Sequence, residues 1–392
     1  MRSYRDADVH GRRVLVREDL NVPLHDGAIS DDTRVRAALP TLRDLSQRGA
    51  RVIVMSHLGR PRGEPAPALS LRPVAARLAE LLGQPVVFAE DCVGEPARAA
   101  VARLQGGDLV LLENVRFHRG EEANDPDFAA QLAELGDLYV NDAFAASHRA
   151  HASVVGVAGY LPAYAGELML AELEALRRAL DEPRRPLVAI VGGAKVSTKA
   201  GVLRHLLPRV DSLLIGGAMA NTFFKAEGME VGASMVEEEA LDEARAVAEV
   251  GGTRLVLPVD AVCARKMEAG QQSRVFPVAA VEPGWMMLDI GPETRRLFAE
   301  RVRGAGTVVW NGPLGVSELT DFAAGTRAVG EAVAASGAYS LLGGGDTAAA
   351  VEQLGLAGRF SHVSTGGGAT LEYLEGRELP GVAVLSRSPA AR

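Results

Sequence analysis

The feature that most constrains the fold of this chain is an alternation, sustained from end to end, of short apolar runs with longer amphipathic stretches. In the first half the apolar runs lie at 14–16, 52–55, 86–88, 109–112 and 138–140. In the second half they lie at 187–191, 212–215, 253–257, 307–309 and 340–342. Helix-like stretches such as 34–47, 71–82 and 197–207 separate them. Alternation of this kind predicts βαβ units, in which parallel strands are flanked by helices.

A long helix-like segment at 167–180, followed by the proline-containing DEPRRP at 181–186, divides the chain into halves of similar size. A chain of 392 residues is long enough for about two domains with a core each. We therefore predict an α/β protein of two similar-sized domains, each a parallel sheet flanked by helices (Rossmann-like). The two domains are expected to face each other across a hinge cleft, where ligands of such proteins commonly bind.

Composition and charge disfavour several classes of partner. The formal net charge is −8, which argues against nucleic acid or an anionic membrane bound over a broad surface. Cys92 and Cys263 lie far apart without a C-x-x-C pattern, which fits a reducing cytoplasm and argues against a zinc site or a disulfide framework. The N-terminal MRSYRDADVHGRR lacks the apolar core of a signal peptide, and Gly, Pro and Glu interrupt the apolar stretch 152–170. We therefore expect a cytoplasmic protein without a membrane span.

In the first half, the loops after the apolar runs carry Arg, His, Asn and Asp, in VREDLNVP, SHLGRP, ENVRFHRGEEAND and NDAFAASHRAHAS. Ligands of open α/β sheets bind at the carboxyl ends of the strands, so these loops are candidates for a site. Arginine forks match phosphate and carboxylate oxygens, so the pattern favours a small, multiply charged anion. A histidine metal site is the rival interpretation, but the H-E-x-x-H spacing is missing and the arginines would repel a cation. The residues concerned are Arg34, Arg60, Arg116 and Arg149, with His57, His118, His148 and His151.

In the second half, the corresponding loops are rich in glycine: VGGAKVSTK, IGGAMANTF, WNGPLGVSE, LGGGDTAAA and STGGGATLE. Glycine turns that open a helix present free backbone amides to a phosphate, although both the Walker A and the G-x-G-x-x-G patterns are missing. Asp346 in GGGDT is the carboxylate best placed to meet a magnesium ion held by phosphates. These loops indicate a phosphorylated ligand.

Lys195 and Lys199 stand out because only four of the 42 Lys and Arg residues are Lys. A chain that uses Arg for most of its cations is expected to place Lys where a compact, mobile ammonium is needed. The alternative is a solvated pair at i and i+4 on one helix face, and the spacing alone does not separate the two interpretations.

Taken together, the motifs resemble the phosphoglycerate kinase family. In that family's order the chain carries VREDLNVP, DDTRVRAALPTL, SHLGRP, ENVRFH, NDAF, SHRAHAS, GGAKVSTK, GGAMANTF, LDIGPET, WNGPLGV, GGGDTA and STGGGATLE, from about residue 10 to about residue 376. The resemblance implies a phosphotransferase with a carboxyl group as acceptor, which moves a phosphoryl group reversibly from 1,3-bisphosphoglycerate to ADP, giving 3-phosphoglycerate and ATP, in glycolysis and gluconeogenesis. It also implies Mg²⁺ as cofactor and a monomer. The implied domains are 1–165 plus 377–392 for the triose and 186–376 for the nucleotide, joined by a helix and hinge at 166–185.

The resemblance also assigns site residues by position. Substrate-binding residues would be Asp19, Leu20, Asn21, Arg34, His57, Leu58, Gly59, Arg60, Arg116 and Arg149. Nucleotide-binding residues would be Lys199, Met287, Asn311, Glu318, Gly344, Gly345, Asp346 and Thr347, with Asp346 as the metal ligand. Catalytic residues would be Arg34, Lys195, Lys199, Gly367 and Gly368, beside Gly366. Transfer between two anions needs neutralised charge and alignment rather than a general base.

The sequence departs from the family at two points. Glu18 and Leu20 stand where the family usually has Val and Phe, and strand alternation predicts that Glu18 points away from the site. Met287 stands where the family usually has Gly beside the adenine, and we expect its side chain to cover the base rather than to narrow the pocket.

Two rival functions stay open: another α/β enzyme for a phosphorylated substrate, such as a dehydrogenase, and a catalytically weak relative that binds nucleotide and triose phosphate.

Overall fold

The computed structural model describes residues 1–386, which form two compact units. The first unit comprises Met1–Leu173 together with the segment that begins at Glu378, and the second comprises Glu174–Arg377. Each unit has its own hydrophobic core, built around the strands of its own sheet. None of the helices among the described residues is both long enough and apolar enough to cross a membrane.

The strands of the described residues follow one another along the chain as β1 Arg13–Arg17, β2 Leu24–His25, β3 Ala28–Ile29, β4 Arg51–Met55, β5 Val86–Ala89, β6 Leu109–Leu112, β7 Leu138–Asn141, β8 Ala163–Ala165, β9 Leu187–Val191, β10 Ser212–Ile215, β11 Leu255–Val256, β12 Asp260–Ala264, β13 Arg274–Pro277, β14 Met286–Ile290, β15 Thr307–Asn311, β16 Tyr339–Gly343 and β17 His362–Val363.

The α-helices of the described residues are α1 Thr33–Gln47, α2 Arg72–Leu82, α3 Gly94–Ala102, α4 Arg119–Glu122, α5 Pro126–Ala133, α6 Glu167–Leu180, α7 Ala200–Leu206, α8 Met219–Ala226, α9 Leu241–Gly251, α10 Pro292–Arg303, α11 Ala324–Ser336, α12 Gly345–Gln353, α13 Gly368–Leu374 and α14 Pro380–Ala383.

In the first unit, one sheet has the strand order β5-β6-β4-β1-β7-β8, with every pair parallel. Parallel strands covered on both faces read as nearly unbroken apolar runs, and β6, with the sequence LVLL, is buried at every position. In β1, Val14 is in register with Val52 of β4 and with Leu138 of β7. The carboxyl ends of β6, β4, β1 and β7 therefore lie next to one another at one edge of the sheet.

In the second unit, a parallel sheet has the order β11-β10-β9-β15-β16-β17. A separate antiparallel sheet has the order β13-β12-β14. The predicted α/β class, with parallel sheets flanked by helices, is confirmed. The small antiparallel sheet was not predicted, because its strands pair with sequence neighbours rather than alternate with helices.

Two predicted elements are wrong in their limits. The strand predicted at 253–257 is reduced to β11, because residues Gly252–Arg254 form a 3₁₀ turn before it. The helix predicted from Ser197 begins at Ala200, because the side chain of Glu237 accepts hydrogen bonds from the Ser197 amide, at 2.9 Å, and from its hydroxyl. Those bonds hold Ser197 in a turn.

The helix α6 is fastened to the first unit at its N-terminus by side chains of two other elements. The Asp142 carboxylate, after β7, accepts a hydrogen bond from the Met169 amide at 2.9 Å. The hydroxyl of Thr41 in α1 accepts one from the Glu167 amide at 2.9 Å. These acceptors satisfy amides that have no partner inside the helix.

Candidate functional site

In the first unit, the polar residues predicted from the sequence lie at the carboxyl ends of neighbouring strands. Asp19 and Asn21 follow β1, His57 and Gly59 follow β4, and Arg116 follows β6. Arg149 follows β7, and Arg34 lies in the first turn of α1. The strand order places these loops side by side.

A chain of hydrogen bonds links three of these loops. The side-chain oxygen of Asn21 accepts from the Gly59 amide at 2.8 Å, and Arg116 Nη1 donates to the Gly59 carbonyl at 2.8 Å. Gly59 has φ of +62°, and a Cβ there would lie 2.7 Å from the Leu69 side chain, so this close approach requires glycine. Asp19, only 8% exposed, forms an ion pair with Arg34, whose side chain is 38% exposed. The loops therefore hold one another in place and leave Arg34 partly free.

His57 is the centre of a group of arginines. It is 5% exposed, and its Nδ1 accepts a hydrogen bond from Arg17 Nη2 at 3.1 Å. Because an arginine can only donate, the proton of the neutral ring resides on Nε2. Burial lowers the pKa of His57 well below its usual range, and Arg17, Arg116 and Arg149 lower it further. The ring is therefore neutral and can donate a hydrogen bond without adding charge.

The arginines themselves are crowded. Burial and the neighbouring charge of Arg149 lower the pKa of Arg116 to about 10, although the charge of Glu122 acts to raise it. Arg116 is 4% exposed, and its Nε lies 3.3 Å from Glu122 Oε1. A bound anion stabilises positive charges that lie close together in a partly buried site. Phosphate and carboxylate groups match the geometry of the arginine guanidinium.

Arg17 is a further candidate for the site that the sequence reasoning missed. Its side chain is fully buried and donates to Ser153 Oγ at 2.8 Å, besides its bond to His57. Ser153 Oγ in turn donates to the buried Glu121 at 2.6 Å. Arg17 thus sets the orientation of the His57 ring. The signal was a charged residue at the end of the apolar run of β1, directly before the acidic turn.

Three of the predicted substrate-binding residues do not present their side chains in this way. Leu20 and Leu58 belong to the hydrophobic core, so only their backbone atoms could meet a ligand. Arg60 is exposed, and no hydrogen bond or ion pair holds its side chain in the part of the chain that the structure describes. Of the other histidines, His118 is paired with Asp91, and His151 lies 3.7 Å from Glu121.

Glu18 is buried beside a second carboxyl group. It follows Arg17 at the end of β1, just as Asp142 follows Asn141 at the end of β7, and Arg17 and Asn141 are register partners. Neither Glu18 oxygen has a hydrogen-bond partner among residues 1–386. Burial raises the pKa of Glu18 well above its usual range, and the charge of Asp142 raises it further. Burial likewise raises the pKa of Asp142 to about 6.

In the second unit, the glycine-rich turns pack backbone against backbone. A Cβ on Gly192 would overlap the Pro313 carbonyl oxygen, and a Cβ on Gly312 would overlap the backbone of Gly192. The Gly193 amide donates to Pro313 O at 3.0 Å, and the Gly312 amide donates to Thr347 Oγ1 at 2.6 Å. The loops after β9, β15 and β16 therefore form one continuous backbone surface, which we call the glycine floor.

Lys199 lies directly before α7, and its ammonium donates to Oδ1 of Asn311 at the end of β15. Nδ2 of Asn311 is buried and has no hydrogen-bond partner within the described residues. Burial lowers the pKa of Lys199, whereas Asp346 and Glu375 raise it. Asp346 is exposed in the first turn of α12. An ammonium, an unused amide donor and a carboxylate are thus available to phosphate oxygens and to a cation.

The remaining predicted residues of this unit occupy the turns around that floor. Gly344, with φ of +93°, precedes α12, and Gly367, with φ of +51°, precedes α13. Lys195 and Glu318 are exposed, whereas Thr347 is buried. The turns at the ends of β9, β15, β16 and β17 contribute Lys195, Glu318, Gly344, Gly345, Thr347, Gly366, Gly367 and Gly368.

Met287, in β14, lines a narrow cavity next to the loop after β10. The cavity has a volume of about 20 Å³ and is also lined by Gly217, Phe224 and Leu314. Met287 is 7% exposed, and its amide donates to Ser234 Oγ at 2.9 Å. Pockets for small ligands are usually about 300–1,000 Å³, so this cavity is too small for a purine base as it stands.

Comparison with known protein families gives one consistent match. A family model described as phosphoglycerate kinase matches residues 4–377. A phosphoglycerate kinase of Rubrobacter xylanophilus is 57% identical over 384 residues, and one of Pelotomaculum thermopropionicum is 55% identical over 387 residues. Each alignment covers 98% of this chain and 98% of the relative.

Solved structures give the same match. The phosphoglycerate kinase from Coxiella burnetii superposes with a TM-score of 0.91 at 44% identity. The one from Pyrococcus horikoshii OT3 superposes with a TM-score of 0.87 at 34% identity. Both comparisons cover 98% of this chain and 98% of the other.

Proposed function

The chain belongs to the phosphoglycerate kinase family, and on that premise we propose that it transfers a phosphoryl group reversibly between 1,3-bisphosphoglycerate and ADP, giving 3-phosphoglycerate and ATP. The observation that carries the proposal is the group of arginines around the neutral His57. Such a group needs an anion to relieve its own repulsion, and a phosphorylated carboxylic acid supplies one.

We assign the non-reacting phosphate of the triose to Arg116 and Arg149, because burial and the charge of Arg149 both disfavour the charged form of Arg116. His57 donates through Nε2, and Asn21 and Asp19 hold the hydroxyl and carboxyl end of the substrate. Arg34 is partly exposed and ion-paired with Asp19, so it can turn towards the group in transfer.

In the second unit, we propose that the nucleotide phosphates lie over the glycine floor. Lys199, the free Nδ2 of Asn311 and the amides of Gly367 and Gly368 supply donors. The exposed Asp346 fits a Mg²⁺ ion, because magnesium in kinases takes one or two carboxylates and completes its shell with phosphate oxygens and water. Bound there, Mg²⁺ neutralises negative charge on the nucleotide phosphates.

The residues act by placement and charge, not by removing a proton. Both nucleophiles, a carboxylate and a phosphate, are already anions, so no general base is required. Lys199 has a flexible stem and can follow the phosphoryl group between donor and acceptor. Lys195 contributes a second ammonium, and Arg34 opposes the charge from the triose side. We propose residues 166–185 as the hinge that lets the two ligands meet, with water excluded from the acyl phosphate.

We further propose a monomer in the cytoplasm. Cys92 and Cys263 are both free and buried, as suits a reducing compartment. Sedimentation of the purified chain tests the first statement, and cell fractionation tests the second.

A coupled assay of 3-phosphoglycerate with ATP and Mg²⁺ tests the function. We expect turnover that requires both substrates and stops when magnesium is chelated. Tight binding of ADP and 3-phosphoglycerate without turnover would favour the catalytically weak relative. Binding of NADH in place of ADP would favour a dehydrogenase instead.

A further inference from the structure

A second set of chemically reactive side chains lies at the outer edge of the first unit's sheet. Asp91 and Cys92 follow β5, and His118 follows β6. One oxygen, one sulfur and one nitrogen from these side chains all lie within 4.8 Å of one another. Strands β5 and β6 are the outermost pair in the order β5-β6-β4-β1-β7-β8, so the set lies at the edge of the sheet. Arg116 follows the same strand as His118, but it does not belong to the set.

The geometry of the set is fixed by its surroundings. His118 Nε2 lies 2.7 Å from Asp91 Oδ1, which also accepts from the Cys92 amide at 2.6 Å. The His118 ring stacks on Phe128, with centroids 5.1 Å apart and an interplanar angle of 24°. Cys92 is fully buried, whereas the Asp91 and His118 side chains are 40% and 33% exposed. The Asp91 carboxylate and the His118 imidazole thus lie between the Cys92 thiol and the protein surface.

A cavity of about 690 Å³ opens against those two side chains. Asp91 and His118 line it, together with Phe117, Arg72 and Glu113. The Glu113 carboxylate is already used, because it accepts from the Ser70 hydroxyl at 2.6 Å and the Leu71 amide at 2.9 Å. Glu90 also lines the cavity and is ion-paired with Arg72. The cavity therefore offers an ion a path of entry and room for water.

We propose that Asp91, Cys92 and His118 bind one zinc ion, with the fourth tetrahedral position open to the cavity. Zinc is the common divalent metal that accepts carboxylate, thiolate and imidazole together, at bond lengths of about 2.0–2.3 Å. Magnesium and calcium prefer oxygen ligands only, so the sulfur of Cys92 discriminates against the ion expected at Asp346. The ion replaces the hydrogen bond between His118 and Asp91.

Binding releases one proton and moves another. The Cys92 thiol loses its proton to solvent as the Zn–S bond forms, and His118 coordinates through Nε2 with its proton on Nδ1. The same ion would join the loop after β5 to the loop after β6 and so stabilise the first unit.

Cobalt(II) is the probe for the test, because a thiolate bound to cobalt gives an intense near-ultraviolet charge-transfer band. Oxygen ligands give no such band, so cobalt bound at Asp346 would not be mistaken for it. We expect one equivalent of cobalt to produce the band in the full-length protein, and zinc to abolish it by displacement. Cys92→Ala should lose the band. Cys263→Ala is the matched control, a buried cysteine of the second unit, and should keep it.

A second variant guards against misfolding of Cys92→Ala. His118→Gln changes a part-exposed side chain, and we expect it to weaken zinc binding at least tenfold by calorimetry while its circular dichroism matches that of the parent. A parent protein without the thiolate band would overturn the proposal. So would a band that persists in Cys92→Ala, or zinc affinity unchanged in His118→Gln.

Discussion

At the scale of single residues, Lys199 is the most direct test of the transfer step. It provides the ammonium that joins Asn311 and lies near Asp346. Lys199→Met keeps the length of the side chain and removes its charge, so we expect turnover to fall by about 10²–10³-fold with little change in the KM values, as for the loss of one donor to the transition state.

Lys266→Met is the control for Lys199→Met, because Lys266 is an exposed lysine of the same unit. Steady-state kinetics of both variants should separate the two positions. Turnover of Lys199→Met within threefold of the parent would remove Lys199 from the transfer step.

Glu18 should make the protein less stable as the pH rises. Its pKa and that of Asp142 are raised in the folded state, so the stability contributed by their neutral forms is complete below about pH 4. It is lost as the pH rises through about 6, the pKa of Asp142. Glu18→Gln removes the ionisation, and Glu18→Val removes two unsatisfied acceptors as well. We expect Glu18→Val to gain about 1–3 kcal/mol of unfolding free energy at pH 8 and less at pH 5.

Urea unfolding of Glu18→Gln and Glu18→Val between pH 5 and pH 8 measures the effect. Glu95→Gln is the control, since Glu95 is an exposed glutamate of the same unit. Parallel pH curves for the parent and both Glu18 variants would mean that Glu18 does not titrate in this range.

Met287 should restrict the nucleotide pocket. The cavity it lines has a volume of only about 20 Å³, which favours the alternative that the Met287 side chain narrows the pocket rather than covers the base. We expect Met287→Gly to bind ADP more tightly, by up to about tenfold or 1.4 kcal/mol, because no side chain must move before the base enters. Calorimetry with ADP measures this, and 3-phosphoglycerate affinity should not change. Weaker ADP binding in the variant would instead indicate that the Met287 side chain covers the base.

At the scale of elements, the proposed nucleotide site depends on loops whose backbones lie in direct contact. Gly192→Ala would place a Cβ against the Pro313 carbonyl and push the loop after β9 away from the loop after β15. Those loops carry Lys199 and Asn311, so we expect ADP affinity and turnover to fall at least tenfold and thermal stability to decrease.

Gly304→Ala is the matched control for Gly192→Ala, since a Cβ at Gly304 meets nothing within 4 Å and its φ of −89° suits alanine. Calorimetry and thermal melts of both variants make the comparison. An unaffected Gly192→Ala would show that the two loops can separate without loss of the site.

Elements with strong apolar patterns could be read from the sequence, and those defined by distant partners could not. The runs at 109–112, 187–191 and 212–215 match β6, β9 and β10 residue for residue. The start of α7 depends on Glu237, which lies 40 residues from Ser197, so no local pattern reveals it. In the same way, the arginines in the loops after the apolar runs indicated an anion site. The role of Arg17 could not be predicted, because it depends on His57 and Ser153, which contact Arg17 only in the folded protein.

At the scale of the whole molecule, each ligand should stabilise its own unit. The unit Met1–Leu173 carries the arginines and Glu174–Arg377 carries the glycine floor. Hydrogen exchange with Mg-ADP should slow amides of Glu174–Arg377, and 3-phosphoglycerate should slow amides of Met1–Leu173. At a hundredfold excess over Kd the stabilisation would be about 2.7 kcal/mol for the unit that binds. Protection by ADP of the loops after β1 and β4 would reverse the assignment of ligands to units.

The segment that begins at Glu378 belongs to the first unit, where the Gly381 amide donates to Ser147 O at 2.8 Å and Asn141 Nδ2 donates to Gly381 O at 3.2 Å. A ribosome releases a chain from its N-terminus, and domains generally fold as units while they emerge. The second unit therefore emerges before the segment that begins at Glu378, and until then Ser147 lacks its hydrogen bond to Gly381. The unit whose synthesis starts first is therefore the one that receives its last segment after the second unit has been synthesised.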